Sequence, residues 1–167
     1  MALTKLNFIT GNKNKLAEVR SILGDVIEVD SQTADISEIQ GTVEEIAEEK
    51  ARRAAEVING PVLVEDSALE FSALKGFPGP YIKYFLDALG LEGLNKMLDG
   101  FEDRTAEAGT IVRPRGQINF GWDPIFEYDG KATFAEMKQE EKNLVSHGHK
   151  ALVKLQQWLA HGQEQLT

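Results

Sequence analysis

The sequence predicts an α/β fold, and three observations predict it. Two short apolar runs, residues 6–9 and 62–64, lie beside segments whose apolar residues recur at helical spacing. Glycine, proline and polar clusters separate these segments and mark turns. The second run stops abruptly at Glu65-Asp66-Ser67. A continuous apolar run of that kind reads as a strand covered on both faces, and open α/β sheets place their ligand crevice at such carboxyl ends.

The chain opens strand, turn, helix: residues 6–9, then Thr10-Gly11-Asn12, then Leu16, Val19, Ile22 and Leu23 at helical spacing. Residues 26–29 predict a second strand and residues 31–41 a polar connection. A helix begins at Thr42, because Glu45 three residues on has capping-box spacing. Val43, Ile46, Ala47, Ala51, Ala54 and Val57 give it an apolar stripe, and Gly60-Pro61 ends it. The GFPGPYIKYF stretch, residues 76–85, reads as a stiff loop leading into a helix that carries Ile82, Phe85, Leu86 and Leu89. Residues 91–98 predict a further helix, and residues 109–112 and 125–127 short strands, with a turn at Asp129-Gly130. The last helix is expected from about Ser146, burying Ala151, Leu152, Leu155, Trp158 and Leu159. No internal repeat or low-complexity segment is visible.

Composition narrows the function. At 167 residues and 42% hydrophobic the chain can bury a real core, and we read it as one domain over residues 1–167 with room for a smaller lobe. A formal charge of −9 argues against a nucleic-acid binder, which needs a basic face. No apolar run reaches membrane-spanning length, and the first residues lack signal-peptide architecture, so no membrane partner and a cytoplasmic location are expected. The absence of cysteine excludes disulfides, thiolate nucleophiles and cysteine metal sites. Any metal must be held by oxygen or histidine.

Several residues point to a small anionic ligand. Lys13 and Lys15 fall in the first turn of a predicted helix, where the macrodipole disfavours cations unless an anion lies between. The Thr10-Gly11-Asn12 turn is a generic anion cradle, although on this stretch alone a capped helix with solvated lysines is the favoured explanation. Lys50 projects from the apolar stripe of its helix, so it either snorkels or meets a buried anion. Asp66 ends the apolar strand, while Glu65 should point to the opposite face. Glu38 joins Asp66 if the polar connection folds back, and two carboxylates completed by phosphate oxygens suit magnesium. Phe120 and Trp122, two apart with Asp123 beside them, form a candidate purine slot; core-filling aromatics are the commoner use. Lys142 and the polar run at residues 146–149 cluster near the last helix, where Ser146 also suits an N-cap; the histidines lack metal spacing.

Six blocks, FITGNKNKLAEV, ISEIQG, GPVLVEDSAL, GFPGPYIKYF, FGWDPIF and FAEMKQEEKN followed by SH, together resemble the inosine triphosphate pyrophosphatase family in order and spacing. The resemblance implies a twisted mixed sheet flanked by helices, with two lobes around a nucleotide cleft. It implies hydrolysis of non-standard purine nucleoside triphosphates (ITP, dITP, XTP) to the monophosphate and pyrophosphate, a Mg2+ requirement with Mn2+ as the alternative, and a homodimer. On that basis Thr10, Gly11, Asn12, Lys13, Asn14 and Lys15 would grip the triphosphate, and Glu38 and Asp66 would hold the metal. Asp66 would also activate water, or bind the metal that does. Lys15, Lys50 and Lys83 would offset phosphate charge, with Ser67 beside Asp66. Phe120, Gly121, Trp122 and Asp123 would sandwich and read the base, assisted by Lys142, Ser146 and His147.

Two departures from the family pattern stand out. A segment of about two strands' length is missing after Ala108, which shortens the central sheet relative to the family. The family's arginine after the SH pair is Gly148 here, with His149 and Lys150 as the nearest substitutes. A catalytically weak or inactive nucleotide-binding remnant, able to associate with a full-length relative, is the second reading. A magnesium phosphohydrolase with relaxed base choice lies between them.

Overall fold

The computed structural model describes residues 3–107, 109–118 and 120–164. Strand β1 (Lys5–Ile9) buries every residue after its first. Helix α1 (Lys13–Leu23) follows, with Asn12 as its N-cap in an extended conformation. Strand β2 (Glu28–Gln32) starts and ends later than residues 26–29 suggest. The cause is local: the amides of Val26 and Ile27 both still bond the Leu23 carbonyl, so the chain is leaving the helix where a strand was expected. Helix α2 (Val43–Ile58) carries the full capping box, Thr42 accepting from the Glu45 amide and Glu45 accepting from the Thr42 amide. Ile46 and Ala54 of its stripe are buried, but Val57 is 66% exposed.

Strand β3 (Val62–Leu63) is two residues long and half-buried, not covered on both faces as expected. It pairs only with β1 among the described strands, in a parallel sheet of order β2-β1-β3. Asn7 joins the sheet internally: its side chain donates to the Pro61 carbonyl and accepts from the Gln32 amide. β1 and β3 are parallel neighbours, so their carboxyl ends lie at the same end of the sheet, the end at which open α/β sheets bind ligands. The chain therefore brings residues 10–15 and 64–66 to one sheet end.

Met1–Asp66 with Asn143–Thr167 forms one compact unit, and Ser67–Lys142 a second. In the second unit β4 (Leu69–Glu70) pairs antiparallel with β5 (Pro78–Gly79). Helix α3 (Ile82–Lys96) breaks at Gly90, whose φ of 67° is non-helical, and so resolves into the two helices the sequence predicts. An antiparallel meander follows: β6 (Thr105–Ala106), β7 (Gly109–Ile111), β8 (Phe126–Tyr128) and β9 (Ala132–Thr133). Among the described strands the parallel pairing lies in the first unit's sheet and the antiparallel pairing in the second unit's. Leu69, Phe71, Leu94, Leu98, Ile111, Ile125 and Phe126 are among its buried residues. Asn95 and Arg104 knit the end of α3 to β7 through the carbonyls of Val112, Leu98 and Ile111.

The place of the missing segment is closed tightly. Ala106 and Gly109 are direct partners in the β6–β7 pair, joined through residues 107 and 108. Ala108 itself lies outside the described residues. A side chain on Gly109 would stand 2.6 Å from both the Glu127 carbonyl and the Phe126 ring, so this approach requires glycine.

Helix α4 (Gln139–Val145) leads to α5 (His147–Glu164). Leu152 and Leu159 of α5 join Phe8, Val19, Leu23, Ile27 and Val29 in the core of the first unit. Gln156 donates to the Ile22 carbonyl at the last turn of α1. Two expected core residues are not core: Ala151 is exposed and Trp158 is 68% exposed. No described helix is long and apolar enough to cross a membrane.

Candidate active site

The turn after β1 is held by its own side chains. Thr10 accepts from the Asn12 amide through its hydroxyl, and the Asn12 carbonyl oxygen accepts from the amides of Asn14 and Lys15. Two donors that an anion would use are therefore already taken by the cap. What remains open is space and charge. A β-carbon on Gly11 would meet nothing within 4 Å. Lys13 and Asn14 are exposed, and Lys15 is about one-fifth accessible with its ammonium 2.6 Å from Glu65.

Lys50 resolves as a buried-anion contact rather than a snorkel. Its Nζ lies 2.6 Å from Asp66 Oδ1 and 3.2 Å from Glu38 Oε1, with 17% of the side chain accessible. Burial works against its charge, yet the hydrogen bond and charge of Asp66, aided by Glu38, hold the Lys50 pKa above its ordinary value. Helix α2 and the 33–41 connection thus converge on Asp66, three residues past the end of β3, as the fold-back of Glu38 requires. Glu65 and Asp66, adjacent in sequence, take different lysines, consistent with opposite faces of an extended chain.

One atom stands out. Asp66 Oδ2 is buried and has no hydrogen-bond partner. A buried carboxylate oxygen without a donor is unfavourable by about 1–3 kcal/mol unless something cationic or protic meets it. No group of three or more His, Asp or Glu side chains suited to a metal occurs among the described residues. The donor set is therefore two carboxylates, Glu38 and Asp66. This fits a hard divalent ion that takes its other ligands from phosphate and water, and does not fit a closed structural site.

The second unit holds a separate cluster. Asp123, 4% exposed, begins a 3-10 turn (Asp123–Ile125), and its amide bonds the Phe120 carbonyl. Lys142 Nζ sits 2.5 Å from Asp123 Oδ2 and 4.9 Å from the Phe120 ring centroid. Phe134, which the sequence did not single out, lies 5.6 Å from the same ammonium. Trp122 requires correction: it is 5% exposed and packs against Phe126 and Phe134, so it is core and not the second open face of a sandwich. Pairing by twos fails here because the loop is turned, not extended.

The remaining expected residues divide between the units. Ser67, Lys83 and Gly121 belong to the second, Lys83 and Gly121 exposed and Ser67 half-buried. Ser146 belongs to the first, where its hydroxyl oxygen accepts from the His149 amide as a helix cap; His147 beside it is exposed. His149 Nδ1 is buried without a partner, and Lys150 is exposed.

The Ham1 family model matches residues 6–109 and 106–158. The chain belongs to the Ham1 family. The two matches meet at residues 106–109, the place where the sequence reading puts the missing segment. The chain is 63% identical to the inosine triphosphate pyrophosphatase of Emericella nidulans, over 92% of this chain and 96% of that one. It is also 63% identical to that of Aspergillus fumigatus, over 95% and 96%. Those alignments span 176 and 180 residues, more than the 167 of this chain, so the relatives carry residues it lacks. Among solved structures, a Ham1 protein of Coxiella burnetii superposes with a TM-score of 0.86 at 31% identity, over 95% of this chain and all of that one. The Ham1 protein of Staphylococcus aureus gives 0.80 at 26%, with the same coverage.

Glu65 and Phe134 are the site residues that sequence reasoning set aside or missed. Alternation set Glu65 apart from Asp66, and the two take different lysines, but nothing local signalled that Glu65 would meet Lys15. Phe134 had a weak signal, an aromatic eight residues before Lys142.

Proposed function

We propose that the protein hydrolyses non-standard purine nucleoside triphosphates, ITP, dITP and XTP, to the monophosphate and pyrophosphate, clearing them from the cytoplasmic nucleotide pool. The observation that carries this reading is Asp66, with Oδ1 on Lys50 and a buried Oδ2 that has no partner. The curated relatives named inosine triphosphate pyrophosphatase support the substrate class.

Roles follow from chemistry. Water attacks the α-phosphorus, the bond to the bridging oxygen breaks, and pyrophosphate leaves. Lys15 and Lys50 offset the charge on the phosphoryl oxygens, which is where most of the rate in phosphoryl transfer arises. Thr10, Gly11, Asn12, Lys13 and Asn14 bound the space that a polyphosphate would fill. Glu38 and Asp66 would hold Mg2+, with Mn2+ as the alternative, and a bound divalent ion supplies charge neutralisation and a more acidic water. Asp66 Oδ2 is the acceptor for a water proton when it is not a metal ligand. Lys142 and Asp123 present a donor and an acceptor beside the Phe120 ring, a pairing suited to the keto edge and ring N–H of hypoxanthine or xanthine. An adenine amino group would leave such groups unpaired. We also propose a homodimer; exposed Tyr84, Leu89 and Phe101 are apolar surface that pairing would cover.

The test is pyrophosphate release from ITP and from ATP with Mg2+, run beside Asp66→Asn. Release that favours ITP and vanishes in the variant supports the reading. No release from folded protein sinks it and leaves the nucleotide-binding remnant, whose thermal midpoint would still rise with ITP.

A further inference from the structure

We propose that Glu65 is a positioning residue for Lys15, fixing the lysine's ammonium at the sheet end where the phosphates bind. The inference rests on the proposed function and adds to it a residue that the sequence reading set apart from Asp66 and that is not one of the metal-fitting pair.

Lys15 sits in the first turn of α1, with no acidic residue in that turn to offset the macrodipole. Its long side chain has four rotatable bonds and, left to solvent, would sample many rotamers. Glu65 fixes one of them: the ammonium lies 2.6 Å from Glu65 Oε2, with 21% and 25% of the two side chains accessible. The contact joins the first turn of α1 to a residue two past the end of β3, at the carboxyl end of the parallel neighbours β1 and β3. Asp66, one residue on, does the same for Lys50 from α2. Two consecutive carboxylates therefore hold two cations from two helices. They are not equivalent: it is Asp66 that carries the buried oxygen without a partner, and so Asp66 that fits a metal.

A positioned lysine binds phosphate without first losing its rotamer freedom, an advantage worth about three- to tenfold in affinity for one long side chain. Glu65 also has an opposing effect, because its negative charge repels polyphosphate. The two effects separate in a double-mutant cycle. With Lys15 present, Glu65→Gln should weaken binding, since positioning outweighs repulsion. With Lys15→Ala, only the repulsion remains, so Glu65→Gln should tighten binding.

The measurement is inhibition of ITP hydrolysis by inorganic tripolyphosphate at fixed Mg2+, for the full chain as wild type, E65Q, K15A and the double variant. Thermal melts check that each is folded. The expected result is a Ki about three- to tenfold higher for E65Q than for wild type, and a Ki lower for the double variant than for K15A. KM for ITP should follow Ki while kcat changes little, and Glu65→Asp should recover part of the loss. A change of the same sign and size in both backgrounds overturns the proposal, because Glu65 would then act independently of Lys15. A rise in the Mg2+ concentration needed for half-activity in E65Q, with Ki unchanged, also overturns it in favour of a metal ligand. Should K15A or the double variant be too slow to assay, tripolyphosphate protection of the four folded proteins in the melt supplies the same comparison. Inactive wild-type protein would sink the proposed function, whereas active wild type with an uncoupled Glu65 would sink only this inference.

Discussion

Asp66→Asn should affect stability and activity very differently, and the sizes follow from its two oxygens. Oδ1 accepts from Lys50 at 2.6 Å, and Asn keeps an acceptor there. Replacing a charged acceptor by a neutral one loses about 1 kcal/mol, the difference between charge-assisted and ordinary hydrogen bonds. Oδ2 is buried without a partner, and Asn places there an NH2 that is equally unpartnered, so nothing is returned on that side. The net change without metal is then about 1 kcal/mol against the variant. For a chain of this size that is a fall in Tm of about 2–4 °C. Hydrolysis should fall by about a thousandfold or more, since the displaced oxygen is the one assigned to metal or water. The assay is a thermal melt in EDTA beside pyrophosphate release with Mg2+ and ITP. Adding Mg2+ with ITP should lift the wild-type midpoint far more than the variant's. A metal-free loss of more than about 2 kcal/mol, or activity within tenfold of wild type, would refute the reasoning.

Other perturbations test other links. Gly11→Ala should change stability by less than about 0.5 kcal/mol, because the added carbon meets nothing within 4 Å, yet raise KM for ITP at least severalfold if phosphate fills that space. Lys142→Met should destabilise by about 3 kcal/mol in urea melts, because it removes the ammonium bonded to an Asp123 carboxylate that is 4% exposed. The Lys50 pKa is raised above 10.5 in the folded protein, so its ion pairs contribute fully below about that pH and are lost only as pH rises through the folded value. The stability gap between wild type and Lys50→Met should therefore stay constant from neutral pH to about 9.5 and narrow only above about 10.5.

Local signals were the legible ones. Thr42 and Glu45 lie within one turn, and their reciprocal bonds form as their spacing predicts. Lys50 was conspicuous because a cation on an apolar stripe needs a partner, and the partners arrived at the strand end that the apolar run had marked. Periodicity was less informative about coverage. It identifies which face of a helix is apolar, not whether anything lies over it, and so Val57 and Trp158 sit in solvent. Trp122 failed for a different reason: alternation holds for extended backbone, and the Asp123 amide folding back on the Phe120 carbonyl removes that premise. Glu65 failed because its partner comes from another helix, and no local pattern reports a contact made only by the sheet's strand order.

The three carboxylates at the sheet end also bear on why a divalent ion and the substrate should bind together. Glu38, Glu65 and Asp66 face the ammonium groups of Lys15 and Lys50, so the cluster is balanced, with a slight excess of negative charge, before any phosphate arrives. A triphosphate brought there alone would compete with these carboxylates for the same lysines and would be repelled by them. A divalent ion alone would meet two carboxylates already engaged by Lys50. Brought together, Glu38 and Asp66 would hold the ion while Lys15 and Lys50 would hold the phosphates, and every charge would keep a partner of opposite sign. Affinity for either should therefore be weak in isolation and strongly dependent on the other. Titrating tripolyphosphate against the folded protein with and without Mg2+ measures this coupling, and equal affinities in the two series would contradict it.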